Sequence, residues 1–88
     1  MYDFNQAVND FNNNNVEASF EAFSVLASDG DAESQYFLAL HYMEGDGVEK
    51  DMQKAIYWLK KAVKKSHVDA ASLLMECDSV STSHTNRF

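Results

Sequence analysis

The sequence predicts an all-α fold, a short helical-repeat domain of about five antiparallel helices. Apolar residues recur at three- and four-residue spacing in five successive segments, and no segment shows the strict alternation of a half-buried strand. The chain has no proline, and its three glycines lie between the segments. Because the connections are short, consecutive helices are expected to be antiparallel. With 88 residues, the chain forms one domain with a small core.

The clearest helix is predicted from about Asp51 to Lys65. Its apolar residues fall on a single stripe: Met52, Ala55, Ile56, Leu59, Ala62 and Val63. Asp51 is a suitable N-cap, because its side-chain oxygen can accept from the free amides of the first turn. Lysines at the far end complement the negative end of the helix dipole. Both ends of this helix are therefore marked in the sequence.

The preceding helix is predicted over residues 31 to 44. Asp31 is expected to cap its N-terminus, and Gly45 supplies the left-handed residue that closes a helix without a Cβ clash. The loop that follows, GDGVEKD (45 to 51), lacks the strand and the lysine-hydroxyl pair of a phosphate-binding loop. It also lacks the alternating acids and the final glutamate of a calcium loop. We therefore predict a connector between two helices.

Three further helices complete the predicted domain, which spans residues 1 to 78. A helix over 16 to 28 is expected to be capped by Asn15, and an earlier one over about 3 to 11 ends at the asparagine run 12 to 15. A last helix is predicted over 68 to 77. The polar residues 79 to 88 show no pattern and are expected to form a flexible tail.

The net charge of −7 is distributed unevenly. Residues 1 to 49 contain ten acidic residues and no lysine or arginine, whereas residues 50 to 65 contain six lysines and one aspartate. The molecule is therefore expected to be an electrostatic dipole. Nucleic acid is not an expected partner, because the net charge is negative and no arginine lies near the lysines.

Several classes of protein are disfavoured by composition. The single cysteine, Cys77, cannot form an internal disulfide, and no stretch is long and apolar enough for a membrane span. The N-terminal residues lack the basic patch and apolar core of a signal peptide. A cytoplasmic location is the expectation. The three histidines lie far apart in sequence and predict no metal site, and Cys77 is expected to be a structural thiol rather than a nucleophile paired with His67.

The chain also contains an internal repeat. A shift of 36 residues places Phe20 on Ile56, Phe23 on Leu59 and Leu38 on Leu74, with size and polarity preserved. A two-helix period in the mid-thirties is typical of an α/α solenoid, in which each hairpin buries its apolar face against its neighbours.

Residues 31 to 74 resemble a Sel-1-like repeat, a relative of the tetratricopeptide repeat. Three motifs carry the resemblance: AExQYxLxxxY from Ala32 to Tyr42, GxGVxKD from Gly45 to Asp51, and KAIxWLxKA from Lys54 to Ala62. One full repeat would cover about 31 to 66, preceded by a degenerate hairpin (3 to 30) and followed by a capping helix (68 to 77). The first hairpin departs from the family pattern because asparagines replace the glycine loop, and Ser66-His67 stands where a glycine is usual.

The resemblance implies a protein-protein interaction module, an adaptor or scaffold without catalytic residues or cofactors. It also implies that Trp58 is a packing residue. Exposed aromatic residues are enriched at binding hot spots, and lysines on one helix form a patch for an acidic partner. The predicted partner-binding residues are His41, Tyr42, Tyr57, Lys60, Lys61, Lys64 and Lys65.

Other interpretations of the same features stay open. The lysines can be explained as an ordinary solvated helix face. A small acidic inhibitor or immunity protein that neutralises one toxin or enzyme is the alternative function, because such a role needs only complementary shape and charge. The charge separation is also compatible with head-to-tail self-association as a homo-oligomer.

Overall fold

The computed structural model describes the backbone of residues 2 to 86 and the side chains of residues 2 to 77. It contains five α-helices: α1 (Phe4–Asn12), α2 (Val16–Ser28), α3 (Ala32–Glu44), α4 (Met52–Lys64) and α5 (Val68–Asn86). No strand occurs between residues 2 and 86. The predicted all-α helical-repeat fold is confirmed, and the bounds of α1 to α4 lie within one residue of those predicted.

The helices pack in chain order. The main contacts join α1 to α2, α2 to α3, α3 to α4 and α4 to α5. The molecule is consequently elongated, with extents of 50, 25 and 17 Å. Packing of each helix against its sequence neighbours is the arrangement of an α/α solenoid.

The first apolar cluster lies between α1, α2 and α3 and is rich in aromatic rings. Phe23 is fully buried and stacks on Phe37 with ring centroids 4.8 Å apart. Phe4 and Phe11 meet Phe37 edge to face at 6.0 and 5.5 Å. Such pairs add about 0.5–1.5 kcal/mol each beyond the area that they bury. Aromatic packing thus attaches the first hairpin, which lacks a glycine loop, to the repeat.

The second cluster lies between α3, α4 and α5 and is built mostly from small residues. Its buried members are Ala39, Ala55, Leu59, Ala62 and Ala70. Alanine side chains let the three helices approach closely, and Leu59 fills the centre. Tyr42 and Trp58 pack against both clusters, as expected for a packing role of Trp58.

Two of the three predicted N-caps form the expected hydrogen bond. The carboxylate of Asp31 accepts from the Ser34 amide at 2.9 Å, and that of Asp51 accepts from the Lys54 amide at 3.1 Å. Asn15 occupies the cap position of α2 but makes no side-chain cap bond, so that prediction was wrong. Its backbone amide instead donates to the Asp10 carbonyl at 2.7 Å, which holds the turn after α1 through the main chain.

The loop between α3 and α4 requires both of its glycines. Gly45 and Gly47 each have φ of +72°, in the left-handed region that disfavours any residue with a Cβ. The Gly45 amide donates to the His41 carbonyl at 2.8 Å and closes α3 as predicted. Gly47 lies against the start of α2, where an added Cβ would be 2.5 Å from the Val16 carbonyl oxygen. The connector therefore also packs on the preceding hairpin.

The last helix is longer than predicted. α5 extends to Asn86 rather than ending at residue 77. Residues 78 to 86 contain no glycine or proline, and serines and threonines lower helix propensity without ending a helix. The flexibility expected of residues 79 to 88 stays a prediction, and its last two positions, 87 and 88, lie outside the described residues.

Candidate functional site

A concavity lies beside the C-terminal half of α4. It is lined by Gln35, Tyr57, Lys60, Lys61, Lys64 and Lys65 and has a volume of about 410 Å³. We call it the lysine groove. Five of the seven sequence-predicted partner-binding residues lie together in it; their role in binding stays a prediction.

The amphipathic pattern of α4 explains why the lysines line a groove. Ala55, Leu59 and Ala62 are buried against α3 and α5, and this orientation leaves all four lysines of the groove exposed. No acidic side chain among residues 2 to 77 lines the groove. The positive charges of the four lysines therefore add up there without compensation by these residues, which favours an anionic ligand.

Tyr57 supplies an aromatic surface at this groove. Its side chain is 53% exposed, which is high for a large ring. The Lys61 ammonium lies 5.4 Å from the centroid of the Tyr57 ring and 6.0 Å from that of Trp58. These cation-π contacts orient Lys61 along the wall of the groove. The aromatic face of Tyr57 and the positive charge of Lys61 therefore lie next to each other on the surface that a partner would contact.

Gln35 is a residue of the groove that the sequence reasoning missed. Only 3% of its surface is exposed, and its side-chain nitrogen donates to the Ala27 carbonyl at 3.1 Å. Because a carbonyl can only accept, this bond fixes which way the amide points. The other amide atom, Oε1, is buried without a hydrogen-bond partner among the described residues. The position of Gln35 in the sequence motif does not indicate that its side chain is buried or that its amide is only partly hydrogen-bonded.

His41 is buried, which corrects its predicted role as a partner contact. Its side chain has no exposed surface and is surrounded by the rings of Phe11, Phe20 and Phe23. The spacing of aromatic residues in the sequence could not distinguish the buried side of α3 from the exposed side. His41 is therefore part of the interior and is not available to a partner.

Both ring nitrogens of His41 are hydrogen-bonded. Nδ1 lies 2.7 Å from the Asp46 carbonyl oxygen, which accepts only, so this nitrogen carries the proton. Nε2 lies 3.1 Å from Ser19 Oγ and accepts the hydroxyl proton when the ring is neutral. Burial lowers the pKa of His41, and the nearby Asp46 opposes this effect only in part. The neutral ring thus ties α2 to the loop after α3.

Tyr42 is only partly accessible. It packs against both apolar clusters and meets the Phe20 ring edge to face at 5.6 Å. The Lys54 ammonium lies 5.6 Å from its ring centroid, at the opposite end of α4 from the lysine groove. Tyr42 therefore does not belong to the groove, and any contact that it makes with a partner would be a separate one.

A second groove, between α1 and α2, was not predicted. It has a volume of about 390 Å³ and is lined by Tyr2, Asp3, Gln6, Ala7, Asp10, Ala18, Glu21 and Ala22. We call it the acidic groove. The Tyr2 hydroxyl donates to a Glu21 carboxylate oxygen at 2.6 Å, and this bond raises the pKa of Tyr2. The spacing of Asp3, Gln6 and Asp10 puts them on one face of α1, a signal that was present in the sequence.

The histidines and the cysteine of the described chain form no metal site. No group of three histidine, cysteine or acidic side chains in residues 2 to 77 could hold a metal ion. His67 contacts Glu33 at 2.6 Å and stacks on Tyr36, while His84 lies outside the residues with described side chains. Cys77 is partly buried. No helix in the described part of the chain is long and apolar enough to cross a membrane.

Comparison with known proteins agrees with the geometry. The sequence model of the Sel1 repeat matches residues 32 to 67, which are α3, the glycine loop and α4. The crystal structure of a Sel1 repeat protein from Oxalobacter formigenes superimposes with a TM-score of 0.71 and 28% sequence identity over 74% of this chain. The chain spans only 27% of the length of that protein. Residues 32 to 67 therefore form a Sel1 repeat within a short α/α helical-repeat fold.

Proposed function

We propose that this chain is a protein-protein interaction module, an adaptor or scaffold that holds an acidic segment of a partner protein in the lysine groove. Sel1 repeats are generally protein-protein interaction modules. The observation that carries the proposal is the groove itself, in which four exposed lysines and one half-exposed tyrosine line a single concavity with no acidic side chain from residues 2 to 77.

The groove offers two kinds of contact to a polypeptide. Lysine ammonium groups attract carboxylates, and the ring of Tyr57 provides amphipathic area of the type enriched at hot spots. A bare phosphate or carboxylate would use only the ammonium groups, whereas an acidic segment with an apolar side chain would use the exposed ring as well. The combination therefore favours an acidic peptide over a simple anion.

The proposal includes a non-enzymatic role and a cytoplasmic location. A single cysteine suits a reducing compartment. Among the described residues, neither groove joins a nucleophile to a base: those of the lysine groove include no acid or histidine, and those of the acidic groove include no cysteine, serine or histidine. Binding and positioning of another protein is the activity that these side chains support.

The test is capture of partners by immobilised protein with two charge variants. In the groove variant, Lys60→Glu and Lys64→Glu reverse two lysines of the groove. In the matched control, Lys50→Glu and Lys54→Glu reverse two lysines near the other end of α4, outside the groove. Each change lowers the net charge by two, so both variants carry −11 against −7 for the wild type. General electrostatic effects are thereby equal in the two variants.

We expect a partner that is retained by the wild type and the control but lost from the groove variant. The bound partner should then be crosslinked and mapped by mass spectrometry to acidic segments. Circular dichroism of each variant establishes that it is folded. If both variants retain the same proteins as the wild type, the lysine groove is not the binding site. A Tyr57→Ala variant should weaken the same partner without changing the helical content.

The acidic inhibitor is the second candidate, and the acidic groove is the observation that supports it. Asp3, Asp10 and Glu21 lie close together there, on a surface suited to a basic active site. This role predicts a one-to-one complex with strong salt dependence in which the partner loses its activity. It also predicts loss of binding in an Asp3→Lys, Asp10→Lys variant rather than in the lysine variant. The two functions are therefore distinguished by which groove, the lysine groove or the acidic groove, is needed for binding.

A further inference from the structure

The two grooves have opposite charge and nearly equal size. The lysine groove contains four ammonium groups and no carboxylate, and its volume is about 410 Å³. The acidic groove contains Asp3, Asp10 and Glu21 with no lysine, and its volume is about 390 Å³. The first lies on α3 and α4, and the second on α1 and α2. Each surface therefore presents the chemistry that the other lacks.

Neither groove is neutralised by another of the side chains of residues 2 to 77. Among the described side chains, the one ion pair within 4 Å joins His67 to Glu33, and no lysine takes part in it. Lysine ammonium groups and aspartate carboxylates of this chain thus remain available to a second molecule. The sequence explains why, since ten of the fourteen acidic residues precede position 50 and all six lysines lie between positions 50 and 65.

We propose that the occupant of the acidic groove is the lysine-bearing face of α4 from a second copy of this chain. Among the alanines that line the acidic groove, Ala18 is exposed, whereas Ala7 and Ala22 are buried. A lysine stem can pack its methylene groups on Ala18 while its ammonium group reaches one of the carboxylates of the groove. The contact is heterologous, because the surface used by one copy differs from that used by the other.

This self-association is weak and depends on salt. Exposed ion pairs contribute little individually, and each copy carries a net charge of −7 that opposes association at a distance. The complex should form at high protein concentration and low ionic strength. Raising the salt from about 0.1 M to about 1 M shortens the Debye length from about 10 Å to about 3 Å and should dissociate it. Because the lysine groove is covered in the complex, an acidic partner would compete with self-association.

The experiment is sedimentation equilibrium of full chains carrying opposite charge reversals. The lysine variant is Lys60→Glu with Lys64→Glu, and the acidic variant is Asp3→Lys with Asp10→Lys. Matched controls reverse the same charges outside the two grooves, at Lys50 and Lys54 or at Glu44 and Glu49. Each groove variant alone should have a dissociation constant raised at least about tenfold, while each control stays near the wild type.

Mixing the two groove variants gives the decisive result. The lysine variant keeps its acidic groove and the acidic variant keeps its lysines, so an equimolar mixture should form a one-to-one complex although each variant alone is monomeric. A wild type that is monomeric at low salt overturns the proposal, as does a mixture that fails to associate. Equal association of groove variants and controls would also overturn it, because another surface would then be responsible. None of these results depends on capture of a different protein, so the proposed adaptor function stands or fails separately.

Discussion

Replacing Gly47 by alanine should destabilise the protein clearly more than replacing Gly45. Both glycines have φ of +72°, so an alanine at either position suffers the same left-handed strain of about 1–2 kcal/mol. Their surroundings differ. An added Cβ at Gly45 would meet Lys50 Cβ at 3.3 Å, whereas one at Gly47 would lie 2.5 Å from the Val16 carbonyl oxygen and 2.8 Å from its carbon.

The extra loss at Gly47 follows from the backbone contact. A carbon and a carbonyl oxygen approach to about 3.3 Å at the closest, so the loop or α2 must move by about 0.8 Å. Overpacking of this kind costs about 1–3 kcal/mol. The total is about 2–5 kcal/mol for Gly47→Ala and about 1–2 kcal/mol for Gly45→Ala. An 88-residue domain has a free energy of unfolding of about 4–13 kcal/mol, so the larger loss is a substantial fraction of it.

Urea unfolding followed by far-ultraviolet circular dichroism measures both losses, and a gap in Tm of about 4 °C or more should accompany them. Asparagine tolerates the left-handed region, so Gly45→Asn should recover most of the stability that Gly45→Ala loses. Gly47→Asn should recover little, because the asparagine has the same Cβ. If the two alanine variants lose equal stability within about 0.5 kcal/mol, the loop does not rest against α2 as described, and the reasoning is refuted.

Three further predictions concern folding stability. Burial lowers the pKa of His41, so the unfolded chain binds a proton near pH 6.5 while the folded chain does not. The free energy of unfolding should therefore fall as the pH drops below about 6.5, by up to about 1.4 kcal/mol per pH unit. Urea titrations at pH 7.5 and 5.5 should show this fall, and a smaller one in His41→Gln. Ser66 has φ of +67°, so Ser66→Gly should raise the Tm, with a gain of about 0.5–1 kcal/mol; a lower Tm would contradict this strain. Asp31→Ala should cost about 1 kcal/mol through its lost cap bond, whereas Asp3→Ala, whose side chain makes no cap bond, should change the free energy of unfolding by less than about 0.5 kcal/mol.

The sequence predicted the helices well where local signals agreed. In α4 the apolar stripe, the cap at Asp51 and the terminal lysines all indicated the same helix, and the structure has it within one residue. The end of α5 was missed because serines and threonines lower helix propensity but do not stop a helix. Asn15 occupies the predicted cap position of α2, but its side chain makes no cap bond, and its backbone amide donates to the Asp10 carbonyl of the preceding turn.

The candidate site was predictable only in part, because helical spacing identifies a face but not what covers it. Tyr57 and the four lysines from Lys60 to Lys65 were predicted as partner-binding residues, and the structure has them lining one groove. His41 was assigned to the same role, but the first hairpin covers its side of α3 with phenylalanine rings. The acidic groove arises where α1 meets α2, and a pattern within either helix alone does not show that meeting.

Packing of each helix on its sequence neighbours has a consequence for how the molecule folds. Its long-range contacts are few, so folding should be fast and either apolar cluster can form first. Tyr42 and Trp58 belong to both clusters and are therefore where the free energies of the two halves become coupled. Trp58 is the single tryptophan of the chain, so its fluorescence should change when either half melts. With this coupling weakened, the chain should unfold in two steps instead of one, beginning at the half with the fewer buried contacts.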